Sequence, residues 1–261
     1  LNSYSRSELG AAIYFIMKKF LLFFLVVCSQ TMHAQQSRTQ DDNTIYWLQT
    51  VANVAIHPKW ALYAEQQWRQ VGDIASPQQR LFRLGLTYKV HPDVNVHAGY
   101  GFVNTFVYGD YPIAADGTFP EHRMYEQITF KQPIATWTIQ HRFRLEQRWL
   151  AKLSSNQPTQ WVYLNRIRYQ FRAQKPLLTK ANNQVFAAVA NEVFIGAGKQ
   201  LGANIFDQNR FSVLLGYSAS KKINFELGYL YQILQQGKPL ANNSVVMQHN
   251  SGFIGAAQFS F

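Results

Sequence analysis

Between Thr136 and Trp149 the chain alternates with a period of two. Trp137, Ile139, Phe143, Leu145 and Trp149 fall on one side, interrupted by His141 and Gln147. Thr138, Gln140, Arg142, Arg144, Glu146 and Arg148 fall on the other. Successive side chains of a strand point to opposite faces, so this segment is a strand with one apolar and one charged face. A charge on every second residue needs a wet or salt-bridged environment, and an apolar opposite face needs lipid or a core.

The same plan recurs along the chain. Phe82, Leu84, Leu86 and Tyr88 oppose Arg83, Gly85, Thr87 and Lys89, while Trp161, Tyr163, Ile167 and Tyr169 oppose Arg166, Arg168 and Arg172. Ile223, Phe225, Leu227 and Tyr229 oppose Asn224, Glu226 and Gly228. Strand-like runs are read at 44–56, 60–70, 80–90, 94–102, 121–130, 136–149, 161–172, 184–194, 210–217, 223–233 and 245–261. The alternation is weakest in 121–130. Pro58, Pro92 and Pro133 fall between runs, where a residue without an N–H belongs. Connections near 57–59, 91–93, 131–135 and 219–222 are tight. Those near 71–78, 107–121, 150–160, 196–208 and 235–243 are expected to be longer, and 173–183 is an exception in length.

No run of 18 apolar residues is present, so no membrane helix is expected. A barrel in lipid hides its membrane signal in this way, because lipid-facing and lumen-facing residues alternate. Trp137 and Trp149 are twelve residues apart on one face, roughly 28 Å of height for a strand tilted by ~45°. The apolar band of such barrels is about 25 Å tall and is edged by aromatics. Trp60, Trp68 and Trp161 also lie near strand ends, and the five are expected to form an aromatic girdle. The expected fold class is all-β: a transmembrane antiparallel up-and-down β-barrel of 10–12 strands. Eleven runs sit awkwardly with the even count usual in bacterial barrels. The first run is the suspect, because it would otherwise start at the outer face.

The start of the chain reads as a leader. Met17-Lys18-Lys19 precedes an apolar run of eight, Phe20–Val27, and Ala34 offers a cleavage site. Residues 1–16 are read as an over-extended gene start, 17–34 as a cleaved signal peptide and 35–261 as one barrel domain. Cys28 is the only cysteine and lies in the leader, so no disulfide is expected after cleavage. The last run ends on Phe259-Ser-Phe261, with Phe253, Gly255, Ala257, Phe259 and Phe261 on one face. A terminal aromatic on such a strand resembles the signal that hands outer-membrane barrels to their insertion machinery. The expected location is the bacterial outer membrane, with its lipid and the insertion machinery as partners.

Lysine and arginine number 25 against 14 acids. The basic residues alternate within strands and are not bunched in a patch, so no nucleic-acid partner is expected. Arg83, Arg142, Arg144, Arg148, Arg166, Arg168, Arg172 and Arg210 are expected to point into the lumen. Glu65, Glu146, Glu192 and Glu226 are expected there with them. Such a set is either a salt-bridged filling that keeps a narrow barrel rigid or the lining of a small pore for anions. Arginine exceeds glutamate, which favours an anionic small solute as partner if the lumen takes one.

His141-Arg-Phe-Arg-Leu-Glu-Gln-Arg148, Arg166-Ile-Arg-Tyr169, Asn191-Glu192-Val-Phe194, Phe206-Asp-Gln-Asn-Arg210 and Glu226-Leu-Gly-Tyr229 together resemble an uncharacterised bacterial outer-membrane family. That family is catalogued as domain of unknown function 2490. The resemblance spans most of residues 35–261 and implies an outer-membrane barrel without an assigned activity or catalytic residues.

Two other function classes are open to such a chain. A barrel-embedded lipid-directed hydrolase needs a nucleophile and base within reach. His249 and Ser251 share a face, whereas the intervening Asn250 points the other way. A soluble periplasmic β-barrel binding protein would have no reason to place tryptophan at both ends of its apolar face. The histidines form no ligand pair at metal spacing, so neither metal nor cofactor is expected, and no catalytic residue is assigned.

Overall fold

A computed structural model describes residues 37–114, 117–155, 157–181, 183–198, 201 and 205–261. The leader reading and Cys28 lie outside these residues. Eleven strands follow in chain order: β1 (Arg38–His57), β2 (Trp60–Val71), β3 (Ser76–His91), β4 (Val94–Thr105), β5 (Phe119–Ile134), β6 (Trp137–Ser154), β7 (Gln157–Lys180), β8 (Asn183–Ala197), β9 (Phe206–Ser218), β10 (Ile223–Gln235) and β11 (Val245–Ser260). Each pairs antiparallel with its chain neighbour, and β1 closes the barrel against β11. All eleven sequence runs join the wall, so the doubt over the first is resolved in its favour.

The odd count fixes the seam. In an up-and-down chain the odd-numbered strands share one direction, so β1 and β11 can only meet in parallel. Their register runs from Arg38↔Val245 to Asn53↔Ser260. The backbone of Phe261 is tied into β1 by two hydrogen bonds, donating to the Asn53 carbonyl and accepting from the Ala55 N–H, both at 2.9 Å. A closed wall leaves no unpaired edge.

The strands are longer than the periodic runs, and two expected loops shrink accordingly. β6 continues to Ser154 and β7 starts at Gln157, so the loop expected at 150–160 is a two-residue connection. β7 continues to Lys180 and β8 starts at Asn183, replacing the turn expected at 173–183. Tight turns are recognised by glycine, proline and asparagine, and here Ala135, Ser155 and Ala181 carry the positive φ instead. Periodicity therefore faded before the ladder did. The 71–78 loop likewise contracts to residues 72–75. Asp73 organises it, its carboxylate accepting from the Ala75 and Ser76 N–H groups and the Ser76 hydroxyl at 3.2 Å. Those bonds, led by the Ser76 N–H, hold the Asp73 carboxyl below its ordinary pKa.

The strand ends sort accordingly. β1–β2, β3–β4, β5–β6, β7–β8 and β9–β10 turn tightly at one end, where Phe261 also lies. The ends of β2, β4, β6, β8 and β10 lie at the other, which carries the longer connections. Outward faces are apolar: Leu62, Leu84, Leu215, Leu227 and Phe253 are 49–64% exposed. Inward faces are buried and largely polar.

Candidate functional site

The interior is built by the inward half of each strand. The structure places the twelve charged residues on the inward sides of their strands, with Glu65, Arg83, Arg144, Glu146, Arg166, Arg168 and Glu192 buried. Their pairing follows register and proximity. On β2 and β3, Glu65 accepts from Arg83 Nη1 at 2.7 and 2.8 Å. On β6 to β9 a continuous chain forms: Asp207, Arg166, Glu146, Arg168, Glu192, Arg142. Arg166 donates to Asp207 at 2.7 Å and to Glu146 at 2.5 and 2.9 Å. Arg168 bridges Glu146 at 2.6 Å and Glu192 at 2.8 Å. Arg142 reaches Glu192 at 2.8 Å. Arg172 grips Glu226 through two bonds of 2.8 and 3.1 Å, and Arg148 grips Glu121 at 2.5 and 3.0 Å.

Several members of this layer escaped the sequence reading. Glu121 and Arg123 pair along β5 at 2.5 and 2.8 Å. They were hidden because alternation in β5 is blurred by polar residues on its outer face. Asp207, near the start of β9, is a salt-bridge partner of Arg166. Trp47, the sixth tryptophan, is 6% exposed inside the barrel. The guanidinium of Arg69 stacks on it at 3.9 Å and that of Arg210 at 4.8 Å. Among the described residues neither Arg69 nor Arg210 has a carboxylate partner: Arg69 donates to Gln67 and Gln79, Arg210 to Gln208. Here aromatic faces take the place of carboxylates.

The layer is dry. Glu146, Gln248 and Asn250 are 0% exposed, Glu121 and Tyr125 1%, and Arg166, Arg168 and Arg144 3–4%. Small residues make room for it. At Gly99 a Cβ would stand 2.5 Å from the Leu84 carbonyl and 2.7 Å from the Tyr125 hydroxyl.

Above the layer, residues 106–114 fold into the mouth at the long-connection end. Tyr108 packs with Ile45, Trp47, Val71 and Leu230, and its hydroxyl donates to Gln248 at 3.0 Å. Asp41 anchors the backbone, accepting from the Asp110 and Tyr111 N–H groups at 3.3 and 3.4 Å and from the Gln248 amide at 2.8 Å. At Gly109, with φ +77°, a Cβ would stand 2.6 Å from that carboxylate, so a side chain there would clash with it. Gln236 donates to the Tyr111 carbonyl. Below the layer, a polar cavity of about 510 Å³ occupies the tight-turn half of the lumen.

On the outer face, Trp60 and Trp137 begin their strands at the tight-turn end, and Trp68, Trp149 and Trp161 lie toward the other. Trp60, Trp68, Trp137 and Trp161 are 38–43% exposed. Phe259 packs edge-on against Phe225, and Phe261 is 64% exposed. The outer face also carries polar pairs: Glu126 with Gln147 at 3.0 Å, and Asn191 with Asn209 through two bonds of 3.1 Å. His249 Nδ1 meets the Tyr231 hydroxyl at 2.6 Å, and no hydrogen bond joins His249 to Ser251.

A family model described as "Protein of unknown function (DUF2490)" matches residues 44–243. A solved structure titled "NanC porin structure in rhombohedral crystal form" aligns with a TM-score of 0.46 at 14% identity, covering 81% of this chain and 91% of that one. No curated protein matches the chain.

Proposed function

The chain belongs to the DUF2490 family, and on that premise we propose that it is an outer-membrane β-barrel of structural role with a sealed lumen, rather than an open anion pore. The membrane part of this reading is supported by the outer face. Apolar side chains cover it from strand to strand, far beyond the patch a soluble monomer exposes. A closed barrel satisfies every backbone group of its wall without water, and tryptophans stand toward both rims. In this reading residues 17–34 are the export leader, and residues 35–261 insert through the last strand with Phe259 and Phe261 as its signal.

The seal is carried by one observation: the arginine–carboxylate layer is excluded from solvent. An ion cannot cross a plane whose Glu146 is fully buried and whose arginines already hold carboxylates or aromatic rings. Residues 106–114 add a second closure above it. Conductance in planar bilayers tests this. The folded, heat-modifiable barrel is expected to be electrically silent. Steady anion-favouring current would overturn the sealed reading in favour of the pore.

A further inference from the structure

The arginine layer has two sides, and they differ. Toward the long connections it meets Trp47, Tyr108 and the anchored segment. Toward the tight turns it meets the cavity of about 510 Å³, whose rim includes Lys131 and Gln258. That is within the usual size range of small-molecule sites.

The charge lining this cavity is unbalanced. Lys131, Arg142, Arg144 and Arg172 contribute four cations, and Glu226 is the one carboxylate. Glu226 is already committed to Arg172. Arg142 shares Glu192 with Arg168, while Arg144 donates to Gln127 at 2.6 and 2.9 Å and stands 3.7 Å from Glu146. Arg142 and Arg172 keep 21% and 17% of their side-chain surface exposed, against 4% for Arg144. A guanidinium fork fits the planar or tetrahedral oxygens of an oxyanion.

We propose that this blind cup is a binding site for a small soluble molecule bearing an oxyanion, phosphate or carboxylate, which enters from the tight-turn end. The proposal rests on the sealed-lumen reading for its direction of entry, and not for its chemistry. Arg142 and Arg172 hold the charged group, and Lys131 at the rim draws it in. In an outer membrane whose tight turns face the periplasm, the cup takes its ligand from that compartment.

Inorganic phosphate and acetate are the probes, titrated into the detergent-purified barrel by calorimetry and by ³¹P line broadening for phosphate. Saturable binding is expected for at least one, and the two arms separate phosphoryl from carboxylate recognition. Arg142→Gln should weaken it roughly tenfold or more, as the loss of a charge-assisted bond implies. Lys131→Gln sits at the exposed rim, leaves the folded layer intact and should weaken it by a smaller factor. Lys238→Gln, at the opposite end, should leave it unchanged. Absence of saturable binding of either probe overturns the site. Equal weakening by Lys238→Gln and Lys131→Gln overturns it too, since binding would then follow net charge alone. Bilayer current measured on the same preparation separates the two ideas. Current with binding retained removes the seal and keeps the site, while silence without binding removes only the site.

Discussion

Glu146 is the residue on which the interior turns. It takes hydrogen bonds from two arginines on β7 and is fully buried. Replacing one partner of a buried pair leaves uncompensated charge, so Glu146→Gln should cost about 3 kcal/mol or more in urea unfolding from micelles. An unfolding midpoint like that of the native barrel would mean the layer is hydrated and the pairs are weak. The outer face poses the opposite case. Glu126 and Gln147 lie between Trp137 and Trp149 in the register of β5 and β6, within the band read here as lipid-facing, where an acidic group is unfavourable. Replacing both with leucine should therefore stabilise the barrel by roughly 1 kcal/mol. Loss of stability would show that the pair serves a contact within the membrane. Alternation made the Arg142–Arg148 face legible. It could not give the partners, because Asp207 and Glu121 reach their arginines across strands whose register no periodicity encodes.

At the scale of elements, the strands were legible and their ends were not. Arg142 to Trp149 announces β6 by contrast between its faces. The stretch from Leu150 to Ser154 continues the same ladder with little contrast, because it rises beyond the aromatic edge where both faces can be polar. The 106–118 segment was legible only as a loop: its glycines and prolines mark turns, and nothing local says that residues 106–114 fold inward. That is decided by Asp41, far away in sequence, whose carboxylate collects two backbone N–H groups of the segment. Asp41→Ala should release it. Chymotrypsin, which cuts after tyrosine unless proline follows, is expected to spare the folded native barrel and to cleave the variant after Tyr108. Bilayer current should stay absent, since the arginine layer below is untouched. Resistance of the variant would assign the anchoring to Tyr108 and Gln236 instead.

At the scale of the whole molecule, the parallel seam has a topological consequence. With eleven strands, β1 starts at the long-connection end, as β11 does, so Arg38 lies beside Val245 and opposite to Phe261. An even barrel would place the start of its first strand with its last residue. The even-number tendency of bacterial barrels reflects the convenience of both ends meeting at one face, and the sequence gives no local sign of the exception. Only the alternating runs, counted one by one, reach eleven. The placement is testable because Cys28 is the only cysteine in the chain and lies in the segment read as the leader. Three single-cysteine variants suffice: Arg38→Cys, Lys238→Cys and Lys59→Cys, all at exposed positions. In intact cells a membrane-impermeant maleimide should label the first two alike and reach the third only after the outer membrane is permeabilised. Labelling at 238 with protection at 38 would mean that β1 does not close the barrel in parallel. Its start would then belong at the tight-turn face, and the seam would have to be filled by a different pairing of β11. Labelling at 59 alone would invert the barrel in the membrane and turn the oxyanion cup toward the outside.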